Sequence, residues 1–285
     1  MYPPIDGTRA APGSASAAAR RRQRLLICSA LALGSAVLLG GLAALVASHW
    51  SPLVRFDRGA VNLLHGYAVR HTIWTAAMQT LGDIGSTVIM RALLGLAAVW
   101  LWAIGARTLG GWAGALILTG WLAGLLGKEG MGRDRPHFAT QATQADGYSF
   151  PSGHALASAV SCAALVILVW PRANRAGRAV ACTVAGLAVL AVGWTRVALG
   201  ANWPSDVPAG WLTAALVVGA VTLAVELWRP GALSQDVRRV DWRTRPRIQR
   251  VLAVGPITAP DLEQTTGPDL ADEPLTAPAR RADGQ

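Results

Sequence analysis

The sequence has little charge. Asp, Glu, Lys and Arg together make up 15% of its 285 residues, while apolar residues make up 52% and the mean hydropathy is +0.36. That balance excludes the two soluble domains which the length alone would allow. Lysine is almost missing: Lys128 is the one lysine in a chain rich in arginine. Cysteine is scarce too. Cys28, Cys162 and Cys182 lie inside apolar runs, with no metal-ligand spacing and no evident pairing, so they read as small core residues and report no redox compartment. No internal repeat is visible.

What the chain does have is long, charge-poor apolar stretches. They run from Leu25 to Ala47, Val88 to Ala106 (interrupted by Arg91), Leu109 to Gly127, Gly153 to Trp170, Ala179 to Leu199 and Val207 to Leu227. Each is close to the ~20 residues that carry a helix across ~30 Å of hydrocarbon. The sequence therefore predicts an all-α polytopic membrane protein with six transmembrane helices. The first run is too long for the apolar region of a signal peptide and reads as an uncleaved anchor. Between it and the second, Ser51 to Gly85 mixes Leu53, Phe56, Leu64 and Tyr67 with Arg55, Asp57, Arg58 and Arg70. That mixture predicts an interfacial helical segment.

Three regions follow. Residues 1–24 are expected as a disordered, basic cytoplasmic N-terminus, 25–228 as the six-helix transmembrane domain, and 229–285 as a cytoplasmic, mostly disordered tail. The net charge of +10 raises nucleic acid as a partner, but the arginines cluster beside apolar runs, as in a membrane protein biased to positive-inside. With six spans and the N-terminus inside, 18 of the 26 basic residues fall on the cytoplasmic side. The expectation is an integral protein of the plasma membrane with both termini cytoplasmic and the bilayer, not nucleic acid, as its partner.

The basic residues that break this bias gather at one face. Lys128 ends the third span, with Arg133 and Arg135 after it; His154 begins the fourth; Arg196 ends the fifth; Asp206 begins the sixth. Topology alone brings these groups together outside the cytoplasm. A planar guanidinium fork and a compact ammonium suit a multiply charged oxyanion. The start of the fourth span, in "FPSGHA", adds free backbone N–H groups at Gly153, the Ser152 hydroxyl, and an imidazole able to exchange a proton near neutral pH. Each residue also has a plain structural reading: Ser152 as an N-cap, Lys128 and Arg135 as interfacial anchors, His154 as an interface histidine. Their order and common face favour a site. A transporter or channel fits poorly, because ionisable groups stand at helix ends and not mid-span.

Three motifs now stand in order: "KEGMGRDRP" (Lys128, Arg135, Pro136), "PSGH" (Pro151 to His154) and "TRVALGANWPSD" (Arg196, Asp206). Together they resemble the type 2 phosphatidic acid phosphatase family, which shares its motifs with vanadium haloperoxidases. "LGDIGS" (Leu81 to Ser86) is similar to a stretch often preceding the second span in bacterial members. The resemblance covers roughly residues 50–228. It implies a six-helix membrane phosphatase acting on a lipid phosphate or pyrophosphate, with no metal and no cofactor. Carried over by motif, Lys128, Arg135, Ser152, the Gly153 N–H and Arg196 would bind phosphate; His154 would protonate the leaving oxygen; Asp206 would orient the nucleophile. The family's third motif has a nucleophilic histidine six residues after the arginine, and here that residue is Asn202. An amide nitrogen has its lone pair delocalised and cannot attack at a useful rate. Three outcomes are open: a pseudophosphatase that binds anionic lipid headgroups, a replacement nucleophile such as His137 or an oriented water, or an impaired enzyme. His137 also reads simply as a bystander in an outer loop. Phosphatidate, phosphatidylglycerol phosphate and polyprenyl pyrophosphate are not distinguished by these residues.

Overall fold

In the computed structural model, which describes residues 12–138, 143 and 146–240, helices account for all the regular structure among the described residues. They are α1 (Pro12–Ala47), α2 (Ser51–Arg70), α3 (Thr72–Ile84), α4 (Thr87–Ala103), α5 (Arg107–Met131), α6 (Gly153–Val169), α7 (Arg175–Ala198), α8 (Asp206–Trp228) and α9 (Ala232–Val240). All belong to one unit, Met1–Asp241. The all-α reading holds.

Five helical stretches are long and apolar enough to cross a membrane: Ala18–Ala47, Thr72–Ala103, Arg107–Met131, Arg175–Ala198 and Asp206–Trp228. The expected sixth, α6, has 17 residues and is about 26 Å long, just short of a full hydrocarbon crossing. It packs between α5 and α8 and buries Leu156, Val160 and Ala164. A helix covered by protein on several sides is not obliged to match the lipid. Lipid-facing character shows instead on α1, α4 and α7, where Leu33, Val37, Leu96, Val99, Val184 and Leu187 are exposed. Exposed apolar surface on this scale marks contact with hydrocarbon.

The segment expected to be interfacial forms α2 and α3, and the second of these runs on into the apolar stretch with α4. Helix α1 begins at Pro12, so residues 12–24, expected as disordered, are helical. Their Ala, Arg and Gln residues are strong helix formers, and they extend a helix already nucleated by the apolar run. Residues 229–240 of the expected disordered tail include α9. Its Asp236 carboxylate accepts the Thr108 and Leu109 N–H groups at 2.7 and 3.2 Å, which closes the N-terminus of α5. Residues 1–11 and 241–285 lie outside the described residues.

The main core joins α4, α5, α6, α8 and α9 around Leu94, Leu101, Trp112, Leu116, Leu156 and Val217. A smaller cluster of Val61, Ala155, Val197 and Val207 ties α2 to the ends of α6, α7 and α8. This second cluster matters most for function, because it gathers the helix ends that carry the polar motifs.

Candidate functional site

The α6 N-terminus is the fixed point of the site. Ser152 precedes it, fully buried, and its backbone N–H donates to the Asp206 carbonyl at 3.0 Å. Helix α8 comes so close that a methyl group on Gly210 would stand 2.7 Å from the Ser152 carbonyl oxygen. Only glycine permits that approach. On the other side, Gly153 meets Thr87 at the start of α4, where Ser86 accepts the Ile89 N–H as N-cap. Three helices therefore converge on the turn that carries Ser152, Gly153 and His154.

Cations surround this turn. Lys128 stands in the last turn of α5, half-buried, and Arg196 in the last turn of α7, only 7% exposed. Arg196, Arg135, Lys128 and Arg91 all act electrostatically on His154. The Arg196 side chain makes no hydrogen bond or ion pair among the described residues, and its Nε is buried without a partner. Asp83 lies within electrostatic reach but forms no ion pair with it. The "LGDIGS" segment makes room for this arginine: Gly82 faces Thr195 and the Arg196 guanidinium, and Gly85 touches Val192, where any side chain would collide.

Arg135 is held differently. Its Nε donates to Gly147 O at 2.8 Å, and its terminal nitrogens donate to the carbonyls of Ala201, Asp146 and Tyr148. Burial lowers its pKa from the ordinary arginine value, and Asp206 and Asp146 act in the opposite sense. His137 is exposed and lines a cavity of about 330 Å³ with Arg135, Asp146, Tyr148 and Ala201, while Lys128, His154 and Arg196 are not on that wall.

Asn202 lies in the turn between α7 and α8 and is buried. Its amide is engaged at both ends. The oxygen accepts the Ser152 hydroxyl at 3.2 Å, and the nitrogen donates to the Ser149 carbonyl at 2.7 Å. Asp206, next to it in the motif, does not bond to the Asn202 side chain. One carboxylate oxygen accepts from Arg133 at 2.6 Å and the other from the Trp203 N–H at 2.8 Å.

Residues 108–230 match the family model of the PAP2 superfamily. That stretch of the chain is similar to the PAP2 superfamily. Among solved structures, it is similar to the first transmembrane PAP2-type phosphatidylglycerolphosphate phosphatase from Bacillus subtilis, with a TM-score of 0.56 and 21% identity over 68% of this chain and 94% of that one. No curated protein matches significantly.

Around this site, two groups escape sequence reasoning. Arg133 bridges two buried carboxylates, Asp57 at 2.7 Å and Asp206 at 2.6 Å, and also donates to Ser205 Oγ at 2.8 Å. Asp57 in turn accepts the Ser205 N–H at 3.0 Å and its hydroxyl at 2.6 Å. This network fastens α2 to the start of α8. The sequence carried only one hint of it: an acid, Asp57, between arginines in an amphipathic segment. The other group is Arg91, visible in the sequence as an interruption of an apolar run and found within electrostatic reach of Lys128 and His154.

Proposed function

We propose that this PAP2 domain holds the phosphate or pyrophosphate headgroup of a lipid at the extracytoplasmic face of the plasma membrane, in a phosphatase-like site without its attacking residue. The observation that carries the reading is Arg196: a guanidinium buried to this degree with no hydrogen-bond or ion-pair partner among the described residues calls for an anion. Lys128, Arg135, Ser152 and the Gly153 N–H would complete the set of donors, and His154 would serve the leaving oxygen. The Bacillus neighbour is a phosphatidylglycerolphosphate phosphatase, which supports a lipid phosphate as the class of substrate here. Arg107, Arg172, Arg175, Arg178 and Arg229 lie at the helix ends away from the motifs, which supports the extracytoplasmic orientation.

The Asn202 contacts favour binding over hydrolysis. An amide bonded to Ser152 and Ser149 acts as a clasp, and the Asp206 carboxylate is already taken by Arg133 and Trp203. Purified protein in detergent, offered phosphatidate, phosphatidylglycerol phosphate and polyprenyl pyrophosphate, is expected to bind vanadate while releasing little or no phosphate. Asn202→His is expected to raise release. A wild type that is fully active, and slowed by Asn202→His, overturns the assignment of position 202.

A second reading has one observation in its favour: His137 is exposed on the cavity that Arg135 lines. If the wild type is active and His137→Ala abolishes release, a replacement nucleophile explains the site. Orientation has its own test. Cysteines at Gly130 and Asp146, both exposed, are expected to label with an impermeant reagent in intact cells, and one at Arg172 only after permeabilisation. The reverse pattern refutes the extracytoplasmic site.

A further inference from the structure

The phosphate cradle described above uses three cations. The structure has a fourth, Arg91, on a different helix. Arg91 lies one turn beyond Thr87 on α4, and Thr87 is the residue that meets Gly153. The two are about 6 Å apart along the helix axis, so Arg91 begins deeper in the membrane than the turn that carries His154. Side chains on a helix lean toward its N-terminus, and a long arginine snorkels toward the polar boundary. For Arg91 both tendencies point up the α4 axis to the Gly153 turn. Arg91 is also within electrostatic reach of His154 and Lys128. It borders a small void with Gly120 and Trp121 of α5 and Leu156, Ala157 and Ser161 of α6, and the Ser161 hydroxyl donates to the adjacent Met90 carbonyl at 2.9 Å.

Arg91 is half-buried and makes no hydrogen bond or ion pair among the described residues. Its electrostatic surroundings set it apart. Lys128 has Glu129 within reach, Arg135 has Asp206 and Asp146, and Arg196 has Asp83, whereas among the described residues no carboxylate acts on Arg91. An unpaired arginine inside a membrane helix, facing the bundle, is costly and points to function. One phosphate group is already matched by Lys128, Arg135, Arg196 and the α6 N-terminus. A cation set deeper along the bilayer normal suits a second phosphate lying between the first and the hydrocarbon, which is where a lipid diphosphate carries its lipid-proximal phosphate.

We propose that Arg91 is a specificity-determining residue that binds the lipid-proximal phosphate of a lipid diphosphate, so that the site prefers diphosphate over monophosphate headgroups. This rests on the phosphate-binding reading of the site and deepens it.

The test measures affinity of purified full-length protein for four ligands: a prenyl methylene-diphosphonate, a prenyl phosphonate, inorganic methylene-diphosphonate and inorganic phosphate. The non-hydrolysable forms keep binding separate from turnover. Wild type is expected to bind the prenyl diphosphonate at least about tenfold more tightly than the prenyl phosphonate. Arg91→Gln is expected to weaken the diphosphonate roughly ten- to hundredfold and the phosphonate by less than about threefold. Arg91→Lys, which keeps the charge, is expected to retain most of the preference and to guard against a folding defect. Arg196→Gln is expected to weaken both ligands. Equal losses on both ligands in Arg91→Gln, or no loss on either, overturn the proposal. Arg91 dependence confined to the inorganic ligand overturns its assignment to a lipid. A wild type that binds neither prenyl ligand refutes the phosphate-binding reading itself, and this proposal with it.

Discussion

Arg133 and Arg196 both adjoin the turn between α7 and α8, yet the protein treats them differently. Arg133 is clamped between Asp57 and Asp206 and also bonded to Ser205. Arg196 is buried more deeply and has no ion pair among the described residues. Both cations lose solvation, so both need compensation. Where the chain supplies the anion itself, the arginine is mortar between helices. Where it withholds the anion, the arginine is available to a ligand. The contrast separates a structural charge from a binding charge within a single motif cluster.

The sharpest test removes the mortar. Arg133→Ala leaves two buried carboxylates without their cation and is expected to cost about 3–5 kcal/mol, read as a large drop in the thermal unfolding midpoint of purified protein. A midpoint equal to wild type means the clamp is not structural, and the comparison collapses. Next comes Arg196→Ala, expected to weaken vanadate or lipid-phosphate binding by about 1.5–3 kcal/mol while the unfolding midpoint holds or rises. Destabilisation on the scale of Arg133→Ala would make the two arginines alike. Asn202→Ala strips the Ser152 hydroxyl and the Ser149 carbonyl of a buried partner, and a loss of about 1–3 kcal/mol in stability is expected. Stability unchanged by that substitution argues against the clasp. The smallest effect belongs to Asp236→Ala at the opposite end of α5. Loss of this cap is expected to cost about 1 kcal/mol with phosphate affinity unaffected, and a change in affinity would show that the two membrane faces are coupled.

The motif residues were legible in the sequence because helix ends and topology bring them to one face: Lys128, His154, Arg196 and Asp206 sit at the ends of their helices as the apolar runs require. The partners were not legible. Asp57 and Arg133 are 76 residues apart, and an ion pair at that separation depends on how α2 lies over the bundle, which no local pattern encodes. The same is true of Asn202. Its spacing identified the position, but its bonds to Ser149 and Ser152 depend on how the α7–α8 turn packs against the α6 turn. Arg91 looked like a flaw in an apolar run until α4 was set against α5 and α6. The early start of α1 and the presence of α9 were missed for another reason: composition reports solvation, and a helix supported by its neighbours can form from polar sequence.

Gly85 and Gly210 have a consequence for how this domain tolerates substitution. Neither carries a side chain that can bind, attack or donate a proton, yet each lies where two backbones, or a backbone and Val192, leave no room for a methyl group. A saturation scan scored on protein abundance would therefore invert the usual map of an enzyme. Position 202, where the chemistry would be sought, is expected to accept several residues at modest loss. Positions 85 and 210 are expected to accept almost none. In such a domain the reactive atoms can be exchanged while the fold persists, and the fold itself is guarded by residues that take no part in any reaction.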